Sequence, residues 1–387
     1  MKNSISLRSL LVIVAVTAAA ASQAQIKIGV IVSATGPAAA LGMPQQKMAS
    51  LFPTVVAGQE VKYIVMDDAS DSNQAAKSAR KLTSEDNVDV IVGPSVNATA
   101  FAVLEVAAET KTPMVTMAPG SGLTSPVDSK RQWVFKGVMD EKIMAEATIR
   151  ALAKIGVKSL GVMASSESYG ESWVTALPVY AAEHGITVQK PERFGLADVA
   201  ATGQTIRLIS GKPDAVLVAG ISTTAAMPHK ALKERGYAGS IFQTYGSLNN
   251  EFLKVGGRDV EGTVTAASSK FLLLDELPDA DPVKQRMAGV VKPYEAAFGK
   301  GSAVSYIMSL DDARQIAAYG IEKALQEKKK PGTPEFRKAV RDAIENAKNL
   351  QLSQSSLSFS PTNHTNIDRE SVTLVTVKNG KWTVYKQ

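Results

Sequence analysis

Residues 88–118 read VDVIVGPSVNATAFAVLEVAAETKTPMVTMA, and this stretch is one complete β-α-β unit. Val88, Val90, Ile91 and Val92 form a short β-branched run, too brief for a helix and typical of a parallel strand buried on both faces. Gly93-Pro94 ends it. Ser95 to Asn97 are placed to cap a helix over Ala98–Thr110, whose apolar residues Phe101, Leu104 and Ala108 recur at helical spacing. Pro113 stops that helix, and Met114 to Met117 make a second strand. The helix N-terminus therefore faces the carboxyl ends of both strands, where open α/β sheets bind ligands and where peptide N–H groups favour an anion. The exit Ala118-Pro119-Gly120-Ser121-Gly122 brings flexible backbone to the same edge.

Working outward, the chain opens with Lys2 and Arg8, an uncharged apolar run from Leu10 to Ala21, and Ser22-Gln23-Ala24. This is the pattern of a cleaved secretory signal spanning 1–24, and the apolar run is too short for a membrane span. Cleavage after Ala24 leaves roughly 360 residues, enough for two domains. There are no cysteines, which excludes disulfides, thiolate catalysis, Cys-based zinc sites and a lipid anchor on a Cys after the cleavage site. The formal net charge is +6, with Lys2 and Arg8 in the leader, and only Lys328 to Lys330 cluster. Nothing there supports nucleic-acid binding.

Strands and helices alternate along the rest. Ile26 to Val32 is the first buried strand, followed by a polar turn, Ser33 to Pro37, and a helix within Ala38–Met48. Val61 to Met66 leads into Asp67-Asp68-Ala69-Ser70-Asp71, which lacks the spacing of a calcium loop and is read as capping the helix Gln74–Thr83. Trp133 to Lys136 and Met144 to Ala153 are the next strand and helix. The series then restarts with the strand Ser159–Ala164, the turn Ser165–Gly170 and the helix Ser172–His184. Further strands follow at Ile186–Val188, Ala215–Ala219 and Ile241–Tyr245, with helices at Gly203–Ser210 and Ala225–Gly236. Two such series imply two doubly wound α/β domains. The helices Val283–Phe298, Tyr306–Gln326 and Pro334–Lys348 cannot form a third domain and are assigned to the first. The tail Ser371–Lys386 is a hairpin around Asn379-Gly380 and is assigned to the second. Lobe 1 is accordingly expected from 25–140 plus 268–355, and lobe 2 from 141–267 plus 356–387, with several chain crossings forming the hinge.

The ordered set IKIGVIVSATGP (26–37), MDDASDSNQAAKSARKLTSEDNVDVIVGP (66–94), TPMVTMA (112–118), SSESYGESW (165–173) and DVEGTV (259–264) resembles the periplasmic solute-binding proteins of ABC importers. The likeness is to the leucine/isoleucine/valine-binding class with the type I fold. It implies two Rossmann-like lobes joined by three crossovers, closing over a small solute, with no cofactor and no catalytic step. It implies a monomer in the periplasm whose partners are its ligand and the membrane permease subunits. The polar residue that holds the ligand carboxylate in that family matches Asn97, and its backbone and hydroxyl cluster matches Ala118, Gly120 and Ser121. The aromatic of its Tyr-Gly turn matches Tyr169, and the bulky residue after the first strand matches Leu41. Ser222 and Tyr245 match two further strand ends.

One departure bears on the ligand. Amino-acid binders of the family place an acidic residue after the strand matching Ile241–Tyr245, but here the stretch reads YGSLNNE and the first carboxylate is Glu251. A buried ammonium without a counter-charge costs several kcal/mol. The expected ligand is therefore a carboxylate with an apolar body, as in the aromatic-acid branch of the family. Branched-chain amino acid uptake and a free-standing sensor of the same fold are the alternatives. Enzymatic motifs are not met: Asn97 stands where a nucleophile elbow needs its second glycine, Ser78-Ala79-Arg80-Lys81 lies inside a helix pattern, and His184, His229 and His364 lack metal spacing.

Overall fold

The β-branched runs do become buried parallel strands, and their order in two sheets fixes where a ligand can sit. The computed structural model describes residues 25–267, 270–366, 369 and 372–386. The secretory signal expected at 1–24 and the lobe boundary expected at 268 lie outside these residues.

The first series gives strands β1 (Ile26–Val32), β2 (Val55–Val56), β3 (Gln59–Asp67), β4 (Val90–Val92), β5 (Met114–Thr116) and β6 (Val134–Met139). It also gives helices α1 (Ala39–Ala49), α2 (Ser72–Arg80) and α3 (Asn97–Thr110). The second series gives β7 (Ser159–Ser165), β8 (Thr187–Val188), β9 (Glu192–Phe194), β10 (Ala215–Ala219), β11 (Ser240–Gln243) and β12 (Val264–Ala267). Its helices are α4 (Glu141–Lys154), α5 (Ser168–Glu183), α6 (Thr202–Ser210), α7 (Ser222–Glu234) and α8 (Asn250–Gly256). The chain ends with α9 (Pro282–Phe298), α10 (Ser305–Gln326), α11 (Pro334–Glu345) and the short strands β13 (Leu350–Gln351), β14 (Ser356–Leu357), β15 (Thr365–Asn366), β16 (Thr373–Lys378) and β17 (Lys381–Val384).

One sheet runs β15-β6-β5-β4-β1-β3-β2, and the other β17-β16-β12-β11-β10-β7-β8 with β9 also on β7. In the first, β1 pairs in parallel with both β3 and β4, so the winding reverses between β1 and β4. In the second, β7 is flanked by β8 and β10, so it reverses between β7 and β10. Reversals of this kind open a crevice at the strands' carboxyl ends. Each sheet is covered on both faces by apolar clusters, one pair around Val92 and Ile91, the other around Leu217 and Val218.

The returning helices belong to the first lobe: Met287, Ile316 and Phe336 share a core with Ile28 and Phe135. The hairpin β16–β17 joins the second sheet antiparallel to β12. The tail boundary, however, differs from the expected 355/356. Phe359 lies in the first lobe's core, the His364 ring stacks on Phe135 at 4.3 Å, and Thr365 pairs with Lys136 of β6. Leu357 to Thr365 thus pack with lobe 1, and β16 is the next element in the second sheet. The cause is local: a two-residue strand amid loop carries no periodicity, and burial of Phe359 and His364 holds it in place. Among the described residues no helix is long and apolar enough to cross a membrane.

Candidate functional site

The loops at the two winding reversals face one another across the cleft. Leu41 and Gln45 come from α1, which follows β1, while Ser95, Val96 and Asn97 follow β4. Tyr169 follows β7 and Ile221 follows β10. With Met117, Pro119, Tyr245, Gly246, Tyr306 and Ser309 they line a narrow cavity between the lobes whose free volume in this structure is about 30 Å³. Apolar side chains of the two lobes meet here, Leu41, Val96 and Tyr306 clustering with Tyr169 and Ile221.

Four of the expected site residues, Leu41, Asn97, Tyr169 and Tyr245, line this cavity. The other four do not. Ala118 is fully buried, and its N–H donates to Thr116 Oγ1 at 3.1 Å. Gly120 N–H donates to Asn97 Oδ1 at 2.9 Å, and Ser121 N–H to Glu141 Oε1 at 2.9 Å. The main-chain donors expected to hold a carboxylate are thus spent on the protein's own side chains. Ser222 is buried with φ +51°, and its hydroxyl donates to Asn249 Oδ1 at 3.4 Å, so its neighbour Ile221 lines the cavity instead. The expected cap of α3 by Ser95 to Asn97 is also absent. Val96 occupies the cap position without a side-chain bond, because Ser95 Oγ accepts from Ser33 N and donates to Gln45 Oε1 at 2.5 Å.

Of the residues the sequence did not single out, Gln45 lies one turn beyond Leu41 on the same helix, a spacing that could have flagged it. Tyr306 and Ser309 start a helix returning from far along the chain, and no local pattern marks them. Tyr306 is 3% exposed, and its hydroxyl reaches the carbonyls of Tyr245 and Gly246 at 3.4 Å each. Its ring meets that of Tyr245 edge-on at 5.9 Å. Tyr169 Oη accepts from Gly246 N–H at 3.0 Å. Burial raises the pKa of all three phenols, so they stay neutral hydrogen-bonding groups at physiological pH.

No charged side chain is among the lining residues. What the cavity has instead is helix N-termini. Val96 (α3) and Ile221 (α7) cap helices without a side-chain bond, as does Val304 just before Tyr306 (α10). Helices α2, α4, α5, α8, α9 and α11 each carry a side-chain cap, whereas α1 and α6 also lack one. Asp71 is the cap of α2, and Asp67 is spent on bracing the loops at Ala34, Thr35 and Ala69, so the acidic turn has the structural role expected of it. Glu251 is exposed on α8, away from the cavity lining.

Replacing Tyr169 by Phe removes the acceptor of a buried N–H. We expect a stability loss of about 1–3 kcal/mol, read as a lowered urea midpoint with an unchanged slope.

Two lobes, each ligand-ready at its winding reversal and enclosing one neutral cavity, define a two-lobed solute-binding protein. The sequence comparison agrees: residues 25–381 match the periplasmic binding protein family model, and the chain belongs to that family. It is 23% identical over 352 residues to Leu/Ile/Val-binding protein homolog 3 of Brucella melitensis, covering 89% of each chain. A solved extracellular ligand-binding receptor from Rhodopseudomonas palustris HaA2 is 40% identical, covering 94% of this chain and 100% of that one with a TM-score of 0.90. A solute-binding protein of an ABC transporter from R. palustris, solved in complex with benzoate, shares the fold at 18% identity, covering 93% of this chain and 95% of that one with a TM-score of 0.76. The chain is thus a member of the periplasmic binding protein family, a family of solute binders and not of enzymes.

Proposed function

We propose that this protein captures a small organic acid without an amino group, an aromatic acid or aryl keto acid, and delivers it to the membrane subunits of an ABC importer. The observation that carries the reading is the cavity's electrostatics: uncharged side chains, three tyrosines, and the uncapped first turns of α3, α7 and α10. Orphan N–H groups and the helix dipoles stabilise a negative charge there, each terminus by about 0.3–1 kcal/mol and up to ~2 when partly buried. Asn97 Nδ2 adds a donor beside them. Tyr169, Tyr245 and Tyr306 supply ring faces and edges for a flat apolar body. An ammonium would find no carboxylate among the lining residues. The benzoate complex of the R. palustris neighbour is consistent with the reading, and the Leu/Ile/Val-binding relative is the reason to keep leucine as the competitor.

The solute would touch both lobes only when they are closed, so binding draws the population toward that form. Calorimetry with benzoate, phenylpyruvate and leucine is the test. Binding of either aromatic acid with no heat from leucine is expected. Tight leucine binding with no response to the aromatic acids would overturn the assignment. Secretion with cleavage after Ala24 belongs to the same reading, and the mass of the exported protein checks it. Loss of uptake on gene deletion, rather than loss of a transcriptional response alone, distinguishes delivery from sensing.

A further inference from the structure

Asn97 reaches the ligand cavity with one end of its amide already fixed. Its Oδ1 accepts from Gly120 N–H at 2.9 Å, so the other end is the nitrogen, which donates to Glu141 Oε2 at 3.3 Å. Turned over, the amide would set its NH₂ against a peptide N–H and its oxygen against a carboxylate. Glu141 takes one of the two Nδ2 hydrogens and leaves the other uncommitted. It is itself 3% exposed and accepts from Ser121 N–H at 2.9 Å through Oε1, while its Oε2 lies 2.7 Å from Ser172 Oγ, whose single hydrogen is shared with the Tyr169 carbonyl, also at 2.7 Å. Asn97 and Ser121 belong to the first lobe, whereas Ser172 on α5 belongs to the second. Glu141 opens α4 directly after the first crossing between lobes, so one buried carboxylate ties the cavity wall to both halves.

We propose that Glu141 is a positioning residue of the ligand site: it locks the Asn97 amide as a hydrogen-bond donor to the bound acid and couples that orientation to the registry of the two lobes. This rests on the reading of the ligand as an organic acid. A glutamine does not replace it, because Asn97 Nδ2 and Ser121 N–H engage different carboxylate oxygens and an amide supplies only one acceptor oxygen.

The charges around Glu141 favour a pH-sensitive role. Lys136 from β6 attracts it, Asp140 beside it repels it, and Lys142 and Glu171 stand on the outer side of the same groove. Burial, opposed by the Ser172, Ser121 and Lys136 interactions, raises its pKa. Protonation removes one of the acceptors that hold the amide.

The experiment compares wild type, Glu141→Gln and Ser172→Ala by benzoate calorimetry between about pH 8 and about pH 5.5, where a carboxylic acid of pKa ~4 stays ionised. Glu141→Gln is expected to weaken benzoate roughly tenfold or more, the loss typical of a hydrogen bond to a charged group. Any pH dependence that wild type shows over this range should be absent from the variant. Ser172→Ala keeps the Asn97 bond and should lose only a few-fold. Glu141→Gln binding within about twofold of wild type would overturn the proposal. NMR of the Asn97 side-chain amide, identified by its loss in Asn97→Ala, gives an arm independent of the ligand. In ligand-free wild type its two hydrogens should be well separated and exchange slowly, and Glu141→Gln should collapse both features; unchanged signals refute the positioning role. If wild type ignores every acid but the amide signals respond as stated, the ligand assignment fails while the Glu141–Asn97 coupling stands. If Glu141→Gln does not fold, the wild-type Asn97 amide signals decide, fast exchange of the two hydrogens counting against.

Discussion

Replacing Asp140 by Ala should destabilise the protein by about 3–5 kcal/mol, the cost of leaving a buried charge without its partner. The charge is Lys136, fully buried in β6, whose ammonium donates to Asp140 Oδ2 at 2.7 Å and to the carbonyls of Pro119 and Gly120 at 2.9 and 3.0 Å. Asp140 also accepts from the Ser121 hydroxyl and from Lys142 N–H. Burial pushes the Asp140 pKa up, but Lys136, Ser121 and Lys142 together outweigh it and hold the carboxyl below its ordinary value. Its contribution is therefore complete above the unfolded-state value near pH ~4 and fades as pH falls through the lower folded value. Urea unfolding at neutral pH and on the acid side should show a large deficit for Asp140→Ala at neutral pH that narrows on acidification. The double variant Lys136→Met/Asp140→Ala should recover part of the loss, since no buried ion remains. A double variant less stable than Asp140→Ala would mean that the carbonyls of Pro119 and Gly120 depend on the ammonium more than the ion pair matters.

Gly93→Ala should be of similar size, on the order of 3–5 kcal/mol, because collision and backbone strain act together there. Gly93 has φ +108°, and a Cβ on it would lie 2.0 Å from the carbonyl oxygen of Ile31 in the neighbouring strand β1. Neither centre can yield without parting β1 from β4, and the displaced residues would be Pro94 to Asn97, one wall of the cavity. Gly58→Ala is the control, since its φ is +78° but its Cβ would meet nothing within 4 Å. It should cost only the left-handed preference, roughly 1–2 kcal/mol, and leave benzoate binding unchanged. Equal losses in the two variants would show that conformational strain alone, and not the approach of Ile31, makes Gly93 necessary.

The strands and the returning helices were legible because β-branched runs and helical apolar spacing are strong local signals, as at Val90–Val92 and Ile307–Ile321. Short elements were not. The three-residue β9 and the two-residue β15 have no room for a period, and β15 joins the first sheet past the expected 355/356 boundary. In the site, the loops were legible and the directions of their groups were not. Leu41, Asn97, Tyr169 and Tyr245, named through the family resemblance, all line the cavity. Ala118, Gly120, Ser121 and Ser222 lie after β5 and β10 at the same sheet edges, but their hydrogen bonds are consumed by Thr116, Asn97, Glu141 and Asn249, partners that only the folded chain brings near. Tyr306 lies 209 residues after Asn97 in the chain, and nothing local links the two.

The uncapped first turns of α3, α7 and α10 bear on how such a receptor can change its diet. A peptide N–H survives every amino-acid exchange except to proline, so point mutation barely touches the part of the cleft that reads charge. Side chains such as Leu41, Ile221 and Tyr245, which read shape, remain free to vary. If the ligand is the organic acid proposed above, descendants of this chain can drift from one acid to another of the same charge through single lining substitutions, while a change of charge requires a newly introduced ionic group.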